Sequence, residues 1–290
     1  MTNLLFVDVD GTLLTLKEGQ QYIPPSAIRA MAQARELGAQ VYLCTGRSLA
    51  DARFIANLTS EGQNLAIDGI IGASGGVVSV GDKIIFHRTL GARAVLELEA
   101  YLQAHDAHYY LESNEGIFFD PVFMEHARRT WGIAHRTDWD TIARPLEEAN
   151  RASVNKLCFR AWEGGLTFED VSAMFGDRFY LVPATHGDQA VVGGEISCRG
   201  VNKATAIRLL LDHLALPQVR TFGFGDSSND IEMLDACDEA IVMGDARESA
   251  VREHATYVTS AVLDDGLARA MAHFGLCPAI GLTNGQMVVW

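Results

Sequence analysis

Four short stretches carry side chains able to do chemistry together. They are Asp8-Val9-Asp10-Gly11-Thr12, Thr45-Gly46-Arg47, Lys203, and Gly225-Asp226-Ser227-Ser228-Asn229-Asp230. Their functional groups include the carboxylates of Asp8, Asp10, Asp226 and Asp230, the Thr45 hydroxyl, the Asn229 amide and the Lys203 amine. Gathered carboxylates repel, by roughly 4 kcal/mol for two unit charges about 4 Å apart at an effective dielectric constant of 20. Either their pKa values rise or a cation sits among them. Oxygen-only ligands without a nearby His or Cys suit a hard ion, and Mg²⁺ fits best because it also takes phosphate oxygens. The Gly11 turn exposes backbone N–H groups to a ligand. Thr45 offers a hydrogen bond to a phosphate oxygen, and Lys203 a point charge at a helix start. One of Asp8 and Asp10 could attack phosphorus while the other moves a proton.

The elements around these residues explain why they should meet. Leu4 to Val9 is a compact apolar run that reads as a buried strand ending in a tight turn. Ser26 to Leu37 has helical spacing and closes on Gly38. Val41–Cys44 is a second strand, followed by a helix to about Leu58, and Ile70-Ile71 marks a third. The βα rhythm returns with a helix over Lys203–Leu214, a strand over Thr221–Phe224, a helix over Ile231–Cys237 and a strand over Ala240–Met243. Helices are expected over Arg247–His254 and Asp265–Phe274. The fold class expected is α/β, a Rossmann-like parallel sheet with helices on both faces. Ligands of such sheets bind beyond the carboxyl ends of the strands. The Asp8, Thr45 and Asp226 stretches all follow predicted strands. Alone, each stretch has a plain reading as a turn, a helix cap or a solvated lysine. Their joint placement at strand ends and a helix start argues for function.

Between these halves the pattern changes. Val77–Val80 and Ile84–Phe86 flank Gly81-Asp82 as a hairpin. Strands over Tyr109–Leu111, Ile117–Phe119, Leu157–Phe159 and Phe179–Val182 mix with helices over Ala92–Leu102, Val122–Trp131 and Leu166–Phe175. An inserted α+β domain over 83–193 is therefore expected, with the α/β core formed by 1–82 and 194–290. Hinges are expected near Gly81–Ile84 and Val191–Glu195. Leu276 to Trp290 is apolar and glycine-rich, without a clear element.

Composition narrows the class. The chain has 290 residues, 48% hydrophobic and 21% charged, enough apolar material for a sizeable core. A net charge of −14 argues against nucleic acid or an anionic membrane as principal partner. Five scattered cysteines with no CxxC spacing fit reduced thiols better than a disulfide framework or zinc site. The start lacks a basic n-region, and no run of about 20 apolar residues occurs, so a cytoplasmic setting is expected. There is no GxxxxGK[ST], and Gly223-Phe224-Gly225 lacks a dinucleotide loop's third glycine.

These motifs resemble the haloacid dehalogenase superfamily, in its Cof-like branch of phosphatases with a type IIB cap. Asp8-Val9-Asp10-Gly11-Thr12-Leu13 is similar to its first motif and Cys44-Thr45-Gly46-Arg47 to its second. Gly200-Val201-Asn202-Lys203-Ala204 is similar to the third, and Gly225 to Asp230 to the fourth. The resemblance implies that Asp8 attacks phosphorus and that Asp10 protonates the leaving oxygen and later activates water. It implies Mg²⁺ held by Asp8, the Asp10 backbone carbonyl, Asp226 and Asp230. It implies a phosphate site of Gly11, Thr45, Gly46, Lys203 and Asn229. The chain departs from the family where Ser74-Gly75 replaces a common Asn-Gly, and at Asp245, where Asn is common.

The expected function is Mg²⁺-dependent hydrolysis of a small phosphorylated metabolite, a sugar phosphate or similar. A phosphomutase of the same superfamily and a non-catalytic phosphometabolite sensor are the alternatives. In the insert, Glu112, Asn114, Lys156 and His186 are candidate specificity residues. Trp131, Trp139 and Trp162 read as core, and His105, His108, His126 and His135 as surface groups.

Overall fold

The computed structural model describes residues 1–57, 59–60, 63–130, 139–162, 165–183, 191–278, 280–283 and 286–289. The chain divides into two compact units. One comprises Met1–Gly46, Ala52–Ile85 and Asn202–Trp290, the other Arg47–Asp51 and Phe86–Val201.

The first unit is a Rossmann-like α/β structure built on an eight-stranded sheet. Its order is Tyr257–Val258, Glu239–Val242, Val219–Gly225, Thr2–Val7, Gln40–Cys44, Gly69–Gly72, Val77–Val80 and Lys83–His87. The pairings from Tyr257–Val258 to Gly69–Gly72 are parallel, and Val77–Val80 then runs antiparallel to Gly69–Gly72. Leu4, Leu5, Phe6 and Val7 are fully buried. A strand covered on both faces needs this unbroken apolar run rather than alternation. Chain order proceeds from Thr2–Val7 outward through Gln40–Cys44 on one side. It resumes on the other side with Val219–Gly225. The winding therefore reverses at Thr2–Val7, which places a ligand crevice beyond the carboxyl end of that strand.

Among the crossover helices, Pro25–Glu36 packs on Gly266–His273 and Lys203–Leu214 on Ile231–Ala236. Pro25 occupies the first helical position, where its missing N–H costs nothing. The helix expected over Arg247–His254 contracts to Ser249–Arg252. A short hairpin, Thr15–Lys17 against Gln20–Tyr22, follows the first motif. The tail supplies two paired strands, Ile280–Thr283 and Gln286–Val289.

The second unit holds a six-stranded sheet ordered Ala143–Pro145, Gly116–Phe119, His108–Ser113, Val154–Trp162, Val191–Cys198 and Phe179–Pro183. Strand alternation sends Tyr109 and Leu111 into one core with Val95, Leu98, Val171 and Phe175 of the helices Ala92–Ala104 and Phe168–Phe175. Tyr110 faces the other way, onto Phe119, Phe123 and Trp139. The expectation of a hinge at Val191–Glu195 is corrected. These residues lie in a strand bonded to Val154–Trp162 on one side, and from Gly194 onward to Phe179–Pro183 on the other. The strand Val191–Cys198 spans the expected 193/194 boundary, and the second unit runs on to Val201.

Candidate functional site

The first unit brings three of the four carboxylates together. One ligand oxygen from each of Asp8, Asp226 and Asp230 lies within 4.8 Å of the others. Asp8 follows the strand Thr2–Val7 and prolongs its pairing, its N–H donating to the Phe224 carbonyl at 2.9 Å. Asp226 follows the adjacent strand Val219–Gly225. Parallel pairing of Val7 with Phe224 therefore carries Asp8 and Asp226 to the same sheet end.

Lys203 joins the cluster. It opens the helix Lys203–Leu214, whose Asn202 cap accepts from the Thr205 N–H at 2.8 Å while Thr205 Oγ1 accepts from the Asn202 N–H at 2.9 Å. Its Nζ donates to Asp8 Oδ1 at 2.6 Å and to Asp230 Oδ1 at 2.5 Å. Lys203 is 2% exposed and Asp230 fully buried, so the charges cannot be left to water. Asp230 is held from both ends, because its Oδ2 accepts the N–H groups of Asp226 at 3.0 Å and Ser227 at 3.1 Å.

Burial pushes the Asp8 carboxyl well above the usual range, and the Asp230 charge adds to this, against the pull of Lys203. Burial and then Asp230 push Asp226 up to about 7. Burial disfavours the Lys203 ammonium, yet Asp230 and Asp8 more than offset this and hold it protonated. The cluster is thus short of positive charge, as expected of a cation site. An all-oxygen donor set fits Mg²⁺ in type.

Two glycines make the approach possible. Gly11 has φ +82°, and a Cβ there would stand 2.2 Å from Asp226 Oδ2. A Cβ on Gly225 would stand 2.6 Å from Asp230 Cγ. The first motif forms a single tight turn, with the Val9 carbonyl accepting from Leu13 at 3.0 Å and Leu14 at 2.8 Å.

The remaining expected residues are placed less centrally. Asp10 is exposed, and its carboxylate is not part of the three-carboxylate group. Asn229 is exposed, its Oδ1 accepting from the Ser227 hydroxyl at 2.9 Å. Thr45 is buried at the end of Gln40–Cys44, its N–H donating to Ile71 and its carbonyl accepting from the Ser74 N–H at 3.0 Å. Gly46 follows it beside Ser74.

A family model of haloacid dehalogenase-like hydrolases matches residues 5–271. The chain belongs to the haloacid dehalogenase-like hydrolases. Phosphatase YwpJ of Bacillus subtilis is 25% identical over 291 residues, covering 93% of this chain and 99% of its own. A Streptococcus pyogenes protein whose name pairs a phosphatase with a peptidyl-prolyl cis-trans isomerase is 27% identical over 285 residues. The match takes in 94% of this chain and only 54% of that protein. A solved subclass IIB sugar phosphatase superposes with a TM-score of 0.69 at 24% identity, covering 95% of this chain and 100% of that one. This last likeness is one of fold.

In this hydrolase the Thr12–Asp226 contact and the Glu195 carboxylate had no assigned role in the sequence, whereas Glu112, Asn114 and Lys156 were candidate specificity residues. The Thr12 hydroxyl donates to Asp226 Oδ1 at 3.3 Å, linking the first and fourth motifs. Within the second unit, Glu112 and Lys156 face each other across neighbouring strands and pair at 3.2 Å, with Glu195 at 3.3 Å from the same Nζ. Burial pushes Glu112 up to about 7 despite Lys156. Glu112 Oε2 and Asn114 Oδ1 are buried without a hydrogen-bond partner among the described residues. Trp139 is buried, as expected. His135, His186 and Trp131 lie outside the described residues, as does the side chain of Trp162. No helix among the described residues is long and apolar enough to cross a membrane.

Proposed function

We propose that this phosphoric monoester hydrolase acts on a small phosphorylated metabolite, a sugar phosphate or similar, through a covalent aspartyl-phosphate on Asp8. The observation that carries the reading is the Lys203 bridge between Asp8 and Asp230 beside Asp226. It pins one Asp8 oxygen, fixing the carboxylate for attack at the crevice end of the sheet. Asp8, Asp226 and Asp230 would hold Mg²⁺, with the Asp10 backbone carbonyl. When bound, the ion supplies charge neutralisation for the phosphoryl oxygens.

An oxygen of Asp8 forms a bond to phosphorus as the ester P–O bond breaks. The departing oxygen takes a proton from Asp10, an exposed residue. Asp10 then removes a proton from water, which attacks phosphorus and releases phosphate and the Asp8 carboxylate. Lys203, Thr45, Asn229 and the backbone of Gly11 and Gly46 hold the phosphoryl group. The second unit acts as a cap that selects the leaving group, and the enzyme works in the cytoplasm.

The test is phosphate release from a panel of phosphorylated metabolites, with Mg²⁺ and with EDTA. Mg²⁺-dependent release strongest on one chemical class supports the reading. Absence of release from every compound by folded, metal-supplied protein rejects it.

A further inference from the structure

Three consecutive residues with positive φ follow the strand Gly69–Gly72: Ala73 at 50°, Ser74 at 52° and Gly75 at 99°. Only the last is a glycine. Left-handed backbone strains alanine and serine, and such strain persists only where surrounding contacts enforce it.

Those contacts are specific. The Ser74 N–H donates to the Thr45 carbonyl at 3.0 Å. Gly75 lies so close to the Asn202 carbonyl that a Cβ would stand 2.3 Å from its oxygen. Asn202 caps the helix that Lys203 opens. The turn is therefore clamped between the loop carrying Thr45 and the helix start carrying Lys203. The Ser74 side chain is half-buried there, and its hydroxyl makes no hydrogen bond among the described residues. Its Oγ lies 3.4 Å from the point where a Gly46 Cβ would stand. The Ser74 hydroxyl thus stands beside the Thr45–Gly46 backbone, within contact distance of that point.

We propose that Ser74 is a further phosphoryl-binding residue, its free hydroxyl donating a hydrogen bond to an oxygen of the bound phosphate group beside Thr45. This rests on the phosphatase reading above. Glycine would fit the turn with less strain, so a serine there is kept for its hydroxyl at the expense of local stability.

The experiment compares wild type with Ser74→Gly and Ser74→Ala. It measures the inhibition constant of orthovanadate, a phosphate mimic, on p-nitrophenyl phosphate hydrolysis with Mg²⁺ present, alongside the melting temperature. Both variants are expected to raise the inhibition constant roughly tenfold, the loss of one hydrogen bond to a charged group. Ser74→Gly is expected to melt level with wild type or up to about 2 °C higher. Weaker inhibition without lower stability is a result a purely structural turn residue cannot give. An unchanged inhibition constant in both variants overturns the proposal. A rise in Ser74→Gly but not in Ser74→Ala also overturns it, because loop loosening then explains the loss. If wild type neither hydrolyses a phosphomonoester nor gains a melting shift from orthovanadate, the phosphatase reading falls, and this inference with it.

Discussion

Lys203 Nζ lies 2.6 Å from Asp8 Oδ1, although 195 residues separate the two in the chain. The same nitrogen reaches Asp230, so one buried cation serves two buried carboxylates. Removing one partner of a buried ion pair typically costs about 3–5 kcal/mol, because the other charge is left uncompensated. Lys203→Met should therefore lower unfolding free energy by about that amount in urea melts and abolish turnover. A variant as stable as wild type contradicts a shared role for this amine.

Asp8→Asn tests the nucleophile. The amide keeps the shape and an acceptor for Lys203 but cannot form the aspartyl-phosphate. Turnover should fall by at least about 10⁴-fold, beyond the loss of a single oxyanion donor, with a normal melting curve. Retained activity in the folded variant rules out Asp8 as the attacking group.

Gly11→Ala should be severe for two independent reasons. The φ of +82° disfavours a side chain, and the new Cβ would lie 2.2 Å from Asp226 Oδ2. Overpacking of this kind costs about 1–3 kcal/mol. Because the clash falls on Asp226, activity should drop about 100-fold or more, as a misplacement of about 1 Å can cause. Steady-state kinetics beside a thermal melt separate the two effects.

Metal removal follows from the charge of the cluster. EDTA should abolish phosphate release and Mg²⁺ restore it. Mg²⁺ should also raise the melting temperature, because it binds the folded carboxylate group and not the unfolded chain. Asp226→Ala should largely remove that melting shift. Differential scanning calorimetry with and without Mg²⁺ reads both.

Glu112 gives a pH dependence with a defined sign. Its folded pKa is pushed up to about 7 by burial, from an ordinary value of 4.5. The folded state then binds the proton more tightly than the unfolded chain. Stability from this group is present below pH 4.5 and is lost as pH rises toward 7. Its partner Lys156 is held charged across that range. Wild type should therefore lose stability relative to Glu112→Gln between about pH 5 and pH 8 in paired melts. A constant difference across that range contradicts the shift.

The linear pattern already carried much of the fold. Unbroken apolar runs such as Leu4 to Val7 mark strands buried on both faces, and the helix expected over Lys203–Leu214 has those bounds in the structure. The motifs also carried the chemistry, because Asp8 and Asp226 each follow an apolar strand, and in a parallel sheet such positions share one end. The strand Val191–Cys198 was less legible. Gly193 and Gly194 interrupt the strand signal of Val191-Val192, and pairing with neighbouring strands is what holds this segment extended.

The sequence by itself determined which residue types stand at the strand ends, and so the class of chemistry. Only the tertiary structure decided which of them meet. Asp230, four residues past Asp226, is the carboxylate that Lys203 takes, while Asp10, only two past Asp8, stays exposed outside the group of three. The tertiary structure also decided that Gly11 must be small toward Asp226 and that Ser74 stands beside Gly46. The physical reason is that spacing along a chain sets the side of a strand or helix a residue occupies. Distances of a few ångströms between segments nearly 200 residues apart are set by how sheet and helices pack.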